Sequence, residues 1–193
     1  MTNEFEQVEK MHFEHEIQAE RELEKIDIVA VKMAEKYGEY ETLKSFVTYI
    51  ASMEKVFARS RIYNSSPMTT KDEIIKTEMH LFSADTGLDE DMLISIRDDF
   101  GSVYLTVSQV YAITEKLIKK FSDKEGCEEF ISSLRDISLA FIEAHEKHFT
   151  ISEIQDRIYR SRMRAISASG DPDITLLENI YDEFKNELGT MLK

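Results

Sequence analysis

Residues 5–33, FEQVEKMHFEHEIQAERELEKIDIVAVKM, place Phe5, Val8, His12, His15, Ala19, Glu22, Ile26, Val29 and Met33 at alternating steps of three and four. Residues 93–121, LISIRDDFGSVYLTVSQVYAITEKLIKKF, repeat that rhythm with Leu93, Ile96, Phe100, Val103, Val107, Val110, Thr114, Leu117 and Phe121. The spacing gathers each set onto one stripe of an α-helix, and such a stripe is stable only when another helix covers it. The second stripe is apolar almost throughout. The first carries His12, His15 and Glu22 where the second has Phe100, Val103 and Val110. Polar groups on a seam destined for burial need a reason.

Working outward, the first helix is predicted from about Asn3 to Tyr37, with Gly38 as a left-handed C-cap. Leu43, Phe46, Ile50, Met53 and Phe57 then keep the same spacing, with Val47 widening the face, and the short connection returns the chain antiparallel. Asn64-Ser65-Ser66-Pro67 ends this second helix, because proline disfavours helix in the residue before it. A shorter helix spans about Lys71 to Phe82. A second long helix is predicted from Asp89 to Phe121, running through Gly101 at a cost of roughly 1 kcal/mol relative to alanine. After a turn at Gly126, Ile131, Leu134, Ser138, Phe141, His145 and His148 share one register. Thr150-x-x-Glu153 reads as a capping box, and Ile151, Ile154 and Ile158 continue the apolar stripe as far as Ser169-Gly170-Asp171-Pro172. Asp173 caps a final helix bearing Leu177, Ile180, Phe184, Leu188 and Met191.

The expectation is an all-α, antiparallel helical bundle forming one domain over residues 1–193. A shift of 88 positions superposes two long helical hairpins, residues 3–63 and 89–149, which would join as a four-helix core. The short third helix and the C-terminal helix lie alongside.

Composition narrows the function classes. With 38 acidic and 24 basic residues, a formal net charge of -14 repels nucleic acid and anionic membrane surfaces. No apolar run approaches the ~20 residues that span a bilayer. The opening MTNEFEQVEK lacks the layout of a signal peptide, so the chain is expected to be soluble and cytoplasmic. The lone Cys127, with no partner for an internal disulfide, fits a reducing compartment and reads as packing.

Four of the five histidines form two pairs, His12-x-x-His15 and His145-x-x-His148, each on one helix face. At ~1.5 Å per residue, His15 lies roughly 35 Å before Gly38 and His148 roughly 33 Å after Gly126. Hairpins packed with their turns at one end would bring all four imidazoles to the opposite pole. There they would suit a transition metal, zinc, iron, nickel or copper. The alternative is structural: a histidine near a bundle end buries a ring edge and keeps one nitrogen wet. A ferritin-like di-iron site needs two Glu-x-x-His motifs, and Glu9-x-x-His12 is the only one in the chain.

Arg157, Arg160 and Arg164 fall on one helical face and would hold an oxyanion or an acidic partner, unless they serve as a solvated face for the chain's own carboxylates. No phosphate loop, nucleophile elbow, Cys-x-x-Cys or His-Glu-x-x-His pattern appears, so catalysis has no positive support. The leading expectation is a binding or regulatory module that docks a protein partner or self-associates as a homo-oligomer. A metal- or cofactor-binding bundle is the second reading. A small-ligand sensor, with a cavity among the aromatics, is the third.

Overall fold

A computed structural model describes residues 2–87, 89–100, 105–170 and 172–192, with the side chains of residues 2–6 outside that description. The chain is all-α and packs helix on helix. Its elements are α1 (Thr2–Tyr37), α2 (Glu41–Ile62), α3 (Pro67–Thr86), α4 (Glu90–Phe100), α5 (Val107–Lys120), α6 (Cys127–Lys147), α7 (Ile151–Ala168) and α8 (Ile174–Met191). They gather into two compact units. One comprises Met1–Ser65 with Gly170–Lys193, the other Ser66–Ser169.

In the first unit, α1 and α2 form the expected hairpin and α8 packs against both. Ala19, Ile26, Val29 and Met33 on α1 bury themselves against Leu43, Phe46, Ile50, Met53 and Phe57 on α2 and Leu177, Ile180, Phe184 and Leu188 on α8. The seam is apolar where α2 and α8 cover it. Gly38 makes the turn, although its backbone is not left-handed. Glycine is required there because a Cβ would come 2.3 Å from the carbonyl oxygen of Ala34. Asp173 caps α8, its side chain accepting a hydrogen bond from the Thr175 amide at 3.3 Å.

In the second unit, α6 packs against α3, α4, α5 and α7. It buries Cys127, Phe130, Ile131, Leu134, Ile137 and Ser138, so each neighbour covers part of its circumference. Burial pushes the Cys127 thiol up, with Asp123 and Glu129 adding to the effect, as a packing cysteine should behave. Pro67 does more than end a helix. It is the first residue of α3, and Ser66 caps that helix by accepting from the Thr69 amide at 3.2 Å.

The second long helix is interrupted. α4 ends at Phe100, and Thr106 adopts an extended backbone (φ -84°, ψ 161°) that starts α5. Its hydroxyl accepts from the Gln109 amide while the Gln109 side chain accepts from the Thr106 amide at 2.8 Å, a reciprocal cap that fixes a new helix start. Gly101 and Val103 lie outside the described residues. On either side of the break Leu93, Ile96, Phe100, Val110, Thr114 and Leu117 of the stripe are buried, whereas Val107, the first residue of α5, is 44% exposed and Phe121, the C-cap of α5, is half-buried.

Candidate functional site

The first polar seam residue has its explanation in α2. Glu22, half-buried on α1, accepts a hydrogen bond from Arg61 Nη2 at 3.0 Å. About two turns earlier, His15 meets the Tyr63 ring edge-on, with centroids 6.3 Å apart. Tyr63 is the C-cap of α2, so this contact marks the end of the covered seam. His12 is exposed, 3.6 Å from Glu16 on its own helix.

α1 has 36 residues and α2 has 22, so roughly 20 Å of α1 extends past the end of α2. Along that extension Val8 is 61% exposed and Met11 55%. Both lie on the same side of the helix as Ala19, Ile26 and Val29. Phe13, 61% exposed, stands on the opposite side. The helix of the first unit therefore carries its heptad rhythm beyond the helices that read it.

His145 and His148 belong to the second unit, and both are exposed. α6 ends at Lys147, and His148 takes a left-handed conformation (φ 57°, ψ 43°) as its C-cap. The regular helix therefore ends between the two members of the pair. Among the described residues, no group of three or more His, Cys, Asp or Glu side chains stands together as a metal site.

The arginines are brought together. Arg157, Arg160 and Arg164 line one groove of about 560 Å³ between α6 and α7. The Thr150 capping box that starts α7 is as expected: its hydroxyl accepts from the Glu153 amide and Glu153 accepts from the Thr150 amide at 2.7 Å. That cap aims the arginine face of α7 at α6. Arg157 pairs with Glu143 on α6 and stacks over Phe149, 4.6 Å from the ring centroid. Arg160 and Arg164 are exposed and make no ion pair or hydrogen bond among the described residues. Arg162 turns the other way, 3.6 Å from Glu78 and 5.0 Å above the Phe82 ring.

That Glu78 was invisible to periodicity. It sits on the buried face of α3, fully enclosed, accepting a hydrogen bond from Ser133 on α6. Burial raises its carboxyl above the ordinary carboxylate range, with Arg162 and Ser133 opposing the shift. Among the described residues, Glu78 Oε2 has no hydrogen-bond partner. An apolar-looking α3 stripe hides a charge whose neighbours are remote in sequence.

Among the described residues, no helix is long and apolar enough to cross a membrane. This chain matches no known protein family, no curated protein and no solved structure.

Proposed function

We propose that this protein is a helical-bundle binding module whose free α1 extension docks a basic amphipathic helix of a partner protein. The observation that carries this reading is the uncovered seam. Val8 and Met11 prolong the stripe that α2 and α8 bury farther along α1, and among the described residues of the first unit they remain 61% and 55% exposed. A further helix laid along that face would bury both side chains by the same three-four packing.

Charge selects the kind of helix. The positions flanking the extended seam include Glu9 and Glu16, each exposed. Lysines or arginines beside the partner's apolar positions would pair with them, whereas an antiparallel second copy of α1 would set glutamate against glutamate. Interhelical charges of this type choose partner and register more than they add affinity.

The probe is a two-heptad peptide with leucine at the seam positions and lysine at the flanks, followed by fluorescence anisotropy. Saturable binding that weakens at least tenfold in Val8→Asn/Met11→Asn is expected. Absence of binding, or binding untouched by those substitutions, overturns the reading. A stable dimer by light scattering, lost in the same variant, would assign the face to a second copy instead.

A further inference from the structure

We infer that the α6–α7 groove of the second unit is a binding site for a phosphoryl dianion, gripped between Arg160 and Arg164. The groove has an open volume of about 560 Å³. Its carboxylates are already engaged. Glu143 holds Arg157 and Lys147. Asp136 holds Arg135 at 2.7 Å and the Ser161 hydroxyl. Glu153 accepts from the amide and hydroxyl of Thr150, which directs its oxygen at the start of α7 while leaving its charge in place, and Asp156 is engaged as well.

Arg160 and Arg164, four residues apart on α7, make no ion pair or hydrogen bond among the described residues. Side chains at that spacing stand about 5–6 Å apart at their Cβ atoms, close enough for both to reach one tetrahedral oxyanion. Guanidinium is suited to this, presenting parallel N–H donors to two oxygens at once. Two positive charges on one face match an ion of charge close to -2, which a phosphomonoester carries above its second pKa of about 6.

The surroundings favour a specific site over general attraction. A chain of net charge -14 repels dianions over most of its surface, so accumulation of phosphate here must come from local contacts. Arg157, fixed between Glu143 and Phe149, forms a rigid third side to the groove.

The test is calorimetric titration of the whole protein with phenyl phosphate, inorganic phosphate and dimethyl phosphate at pH 7.5. Phenyl and inorganic phosphate should bind saturably, and dimethyl phosphate, a monoanion, at least tenfold more weakly. Tighter binding of phenyl phosphate would identify an organic ester as the occupant, while equal binding would identify the phosphoryl head alone; both support the site. Arg160→Ala and Arg164→Ala should each lose about tenfold or more, since charge-assisted hydrogen bonds are the strong ones. Arg59→Ala, at an exposed position on α2, should change nothing. No saturable signal, equal affinity for dimethyl phosphate, or unchanged affinity in both groove variants overturns the inference. The peptide titration of α1 reads a different element, so either result can fail without the other.

Discussion

At Glu78 the protein has placed an ionisable carboxyl with 0% exposure, raised first by burial and only partly offset by Arg162 and Ser133. A raised native value means that the folded state binds the Glu78 proton more tightly than the unfolded chain does. Its stabilising effect is complete below the unfolded carboxylate range and is lost as pH rises through the elevated native value. Glu183 on α8 acts oppositely. Hydrogen bonds from Lys36 and Tyr37 lower its carboxyl, so its contribution is present above the ordinary range and lost on acidification. Urea melts of Glu78→Gln and the wild type between pH 5 and 8 should therefore diverge, the variant gaining relative to the wild type as pH rises. Parallel profiles would show that the carboxyl is not the titrating group. Gly38→Ala is a second single-residue test: with the Ala34 carbonyl 2.3 Å from the added carbon, it should cost more than about 1 kcal/mol of stability.

Among the elements, caps decide what periodicity leaves open. Thr106-x-x-Gln109 and Thr150-x-x-Glu153 are the same device, yet only the second stood out in the sequence. The first was hidden because the apolar rhythm of residues 93–121 continues through it without a missed step. A helix that stops and restarts can keep its stripe buried, so hydrophobic spacing alone does not report the break. Thr106→Ala should destabilise the protein by about 1 kcal/mol, seen as a lower denaturant midpoint with an unchanged slope. Relative length was the other concealed quantity. Heptad spacing puts His12 and His15 on the seam, but burial depends on how far the partner helix runs: α2 ends at Tyr63 opposite His15, and His12 is exposed. Local conformation likewise removed His148 from its register, since the helix closed one residue before it. The arginine spacing needs only a helix, and Arg157, Arg160 and Arg164 line one groove on α7. Arg162 could not be paired with Glu78 from sequence, because that contact joins different helices.

For the molecule as a whole, the breaks written into the sequence fall where the units divide. Asn64-Ser65-Ser66-Pro67 and Ser169-Gly170-Asp171-Pro172 contain the two boundaries, at residues 65/66 and 169/170. The second unit is one continuous segment, Ser66–Ser169, and α6 finds its neighbours α3, α4, α5 and α7 inside it. Expressed alone, that segment should retain its helical circular dichroism and unfold in a single cooperative transition. A non-cooperative melt would sink this prediction. The first unit is assembled from both ends of the chain, so residues 1–65 alone should lack the layer that α8 supplies and melt at lower temperature than when α8 is present.

The unequal lengths of α1 and α2 give one continuous helix two lifetimes. On the covered face, the amides of Ala19, Ile26, Val29 and Met33 lie beneath packed neighbours and should exchange with deuterium only when the first unit opens. Those before Ala19 are held by little more than their own backbone ladder, which nucleates poorly in isolation. Trypsin should accordingly clip at Lys10 long before Lys32, and any molecule that clasps the overhang would be detected first as a silencing of that cut.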